Sequence, residues 1–148
     1  MIETQFEQDI KTAMLAGDKV RVMTLRTLKS VFLSTKVAAG TRDTVLPDAD
    51  VIAILSKEAK KRQESADLYL QGGNETKAAD ELAEKAVIET YLPTQLSESE
   101  ISAIIDEVIA QAGDAVAMGP VIGQVKAKTN GAADGALIAR LVKEKLAA

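Results

Sequence analysis

The chain has 148 residues, a net charge of −4, 47% hydrophobic residues and only 3% aromatic ones, with no cysteine and no histidine. The missing cysteine excludes disulfides, thiol catalysis and thiolate-held metal, and suits a reducing compartment. The missing histidine removes the usual proton shuttle near neutral pH and the commonest metal ligand, and the negative charge argues against a broad grip on RNA.

Ile2, Phe6, Ile10 and Met14 recur every four residues and mark one face of a first helix. Glu3, Glu7 and Asp9 interrupt that stretch, so no signal peptide is expected there. Gly17-Asp18 ends the helix and starts a second, over about residues 19 to 38. That helix carries Val22, Leu25, Leu28 and Phe32 on one side and Val20, Met23, Thr27 and Val31 on the other. A helix apolar on two sides is expected between two neighbours. Gly40 to Leu46 reads as a loop, and Pro47-Asp48 opens a third helix with Val51, Ile52, Leu55, Ala59, Ala66, Tyr69 and Leu70 in its stripe. Gly72-Gly73 stops it and Asn74 caps a fourth, running to about Tyr91, so helices three and four form an antiparallel hairpin.

Pro93 breaks the pattern. Ser97-Glu98-Ser99-Glu100 has the form of a capping box and opens a fifth helix, with Ile101, Ile104, Ile105, Val108 and Ile109 inward. Gly113 closes it. Pro120 suits the first turn of a sixth helix, which Gly131 ends. Asp134 caps the last, whose inner face is Leu137, Ile138, Leu141, Val142 and Leu146. The expected class is all-α, with a bundle of about four helices over residues 1–93 and a small three-helix domain over 94–148. No apolar run approaches ~18 residues, so no membrane span is expected, and the reading is of a cytoplasmic protein.

Candidate sites are few. Lys57 to Glu64 gathers four cations that can meet phosphates, but its i,i+4 pairs Glu58–Arg62 and Lys60–Glu64 fit a solvated helix face better. Arg62 lies within the apolar stripe and needs a partner. The hairpin, folded about Gly73, sets it opposite Glu84, with Glu81 one turn nearer the corner, so a structural ion pair is expected. Glu81 and Glu84 have the spacing of an acid–base pair, but no nucleophile accompanies them. Gly119 and Gly123 have the spacing of a close helix contact. At Asn130 to Gly135 a glycine corner meets a helix N-terminus, which attracts phosphate, although Asp134 competes for the same N–H groups. No metal site and no cofactor motif is found.

An ordered set of motifs carries a resemblance. It comprises Leu25-Arg26-Thr27-Leu28-Lys29, Lys61-Arg62-Gln63-Glu64-Ser65 followed by Gly72-Gly73, Glu81 and Glu84, Tyr91-Leu92-Pro93-Thr94-Gln95-Leu96, and Met118-Gly119 through Gly131-Ala132-Ala133-Asp134-Gly135. Together they resemble the GatB/YqeY family over nearly the whole chain, the last third being similar to the tail domain of GatB, the transfer-RNA-binding subunit of an amidotransferase. The resemblance implies two helical domains and a non-catalytic accessory role in transfer-RNA or aminoacyl-tRNA metabolism. The implied partners are transfer RNA or a protein that handles it. RNA contact is then expected at Lys126, Lys128, Gly131 and Gly135. Asn130, Ala132 and Asn74 stand where the family often carries positive charge, which points to a weak grip. The alternatives are a protein-interaction adaptor without RNA contact and an enzyme related to glutamine-dependent amide transfer.

Overall fold

Helical periodicity runs from end to end, and a computed structural model describing residues 1–148 realises it as seven α-helices and one 3₁₀ turn, with no strand. The chain divides into two compact units, Met1–Leu92 and Pro93–Ala148.

In the first unit, α1 (Ile2–Leu15) buries Phe6, Ile10 and Ala13. Met14, expected on the inner face, is 55% exposed. A strict four-residue row drifts by about 40° per step around a helix of 3.6 residues per turn, so the fourth step falls outside and Ala13 takes the place. The second helix, α2 (Lys19–Ala38), is capped by Asp18, whose carboxylate accepts the Arg21 N–H at 3.0 Å. It buries Thr24, Leu25, Leu28 and Phe32. The expectation that α2 is sandwiched is corrected here: Val20 is 46% exposed and Met23 68%. The helices that pack on α2 are α1 and two that follow, α3 (Asp48–Gln71) and α4 (Glu75–Glu89). All of them cover the Leu25–Phe32 side, and the unit has no fifth helix for the other.

Helices α3 and α4 form the antiparallel hairpin, the most extensive helix pairing in the molecule. Gly73 takes a φ of 76°, and Asn74 caps α4 by accepting the Lys77 N–H at 3.0 Å. Leu70, placed in the α3 stripe by its period, is 52% exposed near the open tip of the hairpin. The core gathers Phe6, Leu25, Leu28, Phe32, Val51, Leu55 and Ile88.

In the second unit, α5 (Glu98–Ala112) begins with both halves of the capping box formed by Ser97 and Glu100. Gly113 starts the 3₁₀ turn, Gly113–Ala115. Pro120 lies in the first turn of α6 (Met118–Thr129), and Asp134 precedes α7 (Gly135–Ala147). Ile101, Ile105, Val108, Val121, Val125, Ile138 and Val142 interlock as an aliphatic core. A Cβ placed on Gly119 or Gly123 would meet nothing within 4 Å, so these glycines open no close helix contact in this unit. No helix is long and apolar enough to cross a membrane.

Candidate nucleic-acid interface

The α6–α7 corner is built by two consecutive residues of positive φ, Asn130 at 43° and Gly131 at 84°. Asparagine and glycine tolerate this region best, which is why the chain can reverse here. Thr129 is buried and its hydroxyl donates to the Val125 carbonyl at 2.9 Å. The segment before α5 ties the corner from outside. The Gln95 amide donates to the Gly131 carbonyl at 3.1 Å, and the Leu96 N–H donates to the Ala132 carbonyl at 2.7 Å. The corner is therefore a fixed feature, and its carbonyls face the protein's own donors.

Lys126 reaches across α6 to the start of α7. Its Cε and Nζ would lie 3.2 and 3.3 Å from a Cβ on residue 135, so Gly135 leaves room for the ammonium at this helix N-terminus. A cation there opposes the positive end of the helix dipole, and an anion between them would satisfy both. Asp134 supplies part of that charge, its carboxylate accepting the Ala136 N–H at 3.4 Å. Lys128 is directed elsewhere and pairs with Glu107 of α5 at 3.1 Å. Other cations of this unit are also engaged: Arg140 with Glu98 and Glu144, Lys145 with Asp106. Of the four residues named from the sequence, Lys126, Gly131 and Gly135 belong to one corner and Lys128 does not.

In the hairpin, Arg62 Nε lies 3.2 Å from Glu84, while its Nη1 bonds Glu58. Glu81 is not a partner of Arg62. The solvated-face reading of Glu58 is corrected, for this residue is 5% exposed and also holds Lys61 at 3.0 Å. Burial alone would raise the Glu58 pKa, but bonds to Lys61 and Arg62 outweigh it and hold the carboxyl below its ordinary range. Beside it the Lys85 ammonium donates to Gln63 at 2.9 Å. Nothing nucleophilic is bonded to these carboxylates, and no group of three carboxylates comes together to hold a metal ion.

A second network was not read from the sequence. Tyr91 donates to Asp9 at 2.6 Å and accepts from Arg21 at 3.2 Å, and its ring lies 4.6 Å from Phe6. Burial and the bond to Asp9 push the phenol above the usual tyrosine range, so it stays a proton donor. Tyr91 sits one residue before the end of the first unit and fastens that end onto α1 and α2. The partners are 82 and 70 positions away in sequence. The one signal in the sequence was scarcity, since a chain with four aromatic residues spends each of them on something.

Comparison with known proteins agrees with this architecture. The pattern of the family described as Yqey-like protein matches residues 3–146. Altered inheritance of mitochondria protein 41, mitochondrial, from Vanderwaltozyma polyspora is 33% identical over 86 residues, which are 58% of this chain and 45% of that protein. A glutamyl-tRNA(Gln) amidotransferase subunit from Thermococcus gammatolerans is 42% identical over 59 residues, 36% of this chain and 9% of that protein. The similarity thus spans less than half of the first relative and a small part of the second.

Proposed function

The chain belongs to the Yqey-like protein family, and from that premise we propose that it is a non-catalytic accessory in transfer-RNA or aminoacyl-tRNA metabolism, touching RNA weakly through its α6–α7 corner. The observation that carries the reading is Lys126 held over the N-terminus of α7. A backbone phosphate placed there would gain an ammonium and free N–H donors at once. The similarity to part of an amidotransferase supports the RNA context. The engaged cations and the net charge of −4 set the strength: few phosphates can be neutralised.

The test is an electrophoretic shift with bulk transfer RNA at low and moderate salt. The expected result is a shift at low salt that fades as salt rises, and its loss in Lys126→Glu plus Lys128→Glu. Lys128 also pairs with Glu107, so the single change Lys126→Glu is the sharper arm and should remove most of the binding. Undiminished binding by that variant would place the RNA site elsewhere. No shift by the parent at low salt would favour the second reading, an adaptor that binds protein and no RNA, for which the exposed side of α2 is the supporting observation.

A further inference from the structure

The uncovered side of α2 is part of a trough. An open groove of about 800 Å³ runs between α1 and α2, and a second hollow of about 380 Å³ continues it through the shared residues Met14 and Arg26. Its walls are apolar side chains that unit 1 leaves unused: Met14 at 55% exposure, Met23 at 68% and Leu33 at 44%. The trough is too open to enclose a small molecule, which is normally buried over most of its surface.

Charge decides what fits. Lys29 is paired with Glu7 and Lys36 with Glu3, so these four cancel within the wall. Asp18 is committed to capping α2. Arg26 contacts only the Met14 sulfur, at 3.6 Å, and neither it nor Lys19 has a carboxylate within ion-pair distance. Lys11 lies near Glu7 without bonding it. The result is a methionine-bearing apolar trough edged by unsatisfied cations, on a chain that is acidic as a whole.

We propose that the α1–α2 groove docks an amphipathic helix of a partner protein whose apolar stripe is flanked by aspartate or glutamate. The stripe would enter between Met14, Met23 and Leu33, and the carboxylates would meet Lys11, Lys19 and Arg26. Methionine suits such a surface because its flexible thioether moulds to different side chains. Two other occupants fit less well. Single-stranded RNA would want exposed rings to stack on, and the aromatic residue lining this groove, Phe32, is buried in the core. A second copy joined through the same groove would set these cations against themselves.

The four methionines give a direct test on the full chain. Their methyl groups, labelled with carbon-13, are followed by NMR while a synthetic helix of about 18 residues is added, long enough to lie along α2. The probe carries leucine at i, i+3, i+4 and i+7 with glutamate on both flanks. A scrambled peptide of the same composition, a version with lysine for glutamate, and bulk transfer RNA are the other arms. The acidic helix is expected to move the Met14 and Met23 signals and leave Met118, in the other unit, unmoved. Arg26→Glu, with unchanged helicity, should weaken that binding by about tenfold and strengthen binding of the lysine version. Lys19→Glu should act in the same direction. The proposal is overturned if millimolar acidic helix moves neither methyl, if the scrambled or lysine peptide binds the parent equally well, or if transfer RNA moves these two signals and the acidic helix does not.

Discussion

Arg62 shows how a single residue's cost depends on how many partners share it. With one buried partner, loss of that partner strands a charge at about 3–5 kcal/mol. Here Glu58 and Glu84 both hold the guanidinium, and the Glu84 side chain is 36% exposed. Glu84→Ala should therefore cost only about 1 kcal/mol, since Glu58 remains and water can reach the vacated side. Glu58→Ala plus Glu84→Ala should cost about 3–5 kcal/mol, more than the two single changes together. Urea unfolding followed by tyrosine emission measures all three, and additive losses would refute shared custody. The same carboxylate sets an acid limit. Glu58 and Glu3 both titrate below their ordinary range; at Glu3 burial pushes the other way, but bonds from Lys36 and the Leu46 N–H prevail. Their folded values are depressed, so their contribution is complete above the unfolded carboxylate value of about 4.3 and is lost as pH falls through the folded values. The urea midpoint should therefore drop below about pH 4, and Glu58→Gln should flatten that drop. The Arg62–Glu84 facing was legible because a hairpin turning at Gly73 fixes which positions oppose each other. The burial of Glu58 was not, because a run of charges has the same look whether one member points inward or none does.

At the scale of the element, end signals were read better than faces. Asp18, Asn74, Ser97 and Asp134 each accept a backbone N–H at a helix start, and a cap is local chemistry that needs nothing beyond three or four residues. Which side of α2 lies inward is decided by distant helices, and both sides of it are apolar in sequence. The α6–α7 corner was legible as a turn, whereas the divergence of Lys126 and Lys128 was not: two positions apart on a helix, they point about 160° from each other. The α6 glycines carry a further consequence. Residue 123 is interior to its helix, and a Cβ there meets only open space. Gly123→Ala should therefore stabilise the second unit by about 0.5–1 kcal/mol, by reducing the freedom of the unfolded chain. A loss of stability, measured by helicity in urea, would show that the glycine serves a contact this unit does not make by itself.

At the scale of the whole molecule, the two units differ in what they bury and in what they can report. Phe6, Phe32, Tyr69 and Tyr91 all belong to the first, so near-ultraviolet and tyrosine signals follow that unit alone, while far-ultraviolet circular dichroism follows both. The second unit has 56 residues, Pro93–Ala148, and an aliphatic core without one aromatic ring. A domain near 60 residues buries only about 60% of its unfolded surface, which leaves it marginal. The first unit has more chain, the packed rings of Phe6, Phe32 and Tyr91, and the Tyr91 bonds that pin its final residues. Each core is closed within its own unit, so the two should unfold as separate cooperative steps. Helicity is expected to fall in two stages as urea rises, the second unit melting first, with the tyrosine signal changing only in the later stage. Tyr91→Phe removes the bonds to Asp9 and Arg21 and keeps the ring, so it should lower the later midpoint and leave the earlier one in place. Coincident curves from the two probes, or a Tyr91→Phe change that moves both midpoints together, would mean that the units fold as a single body.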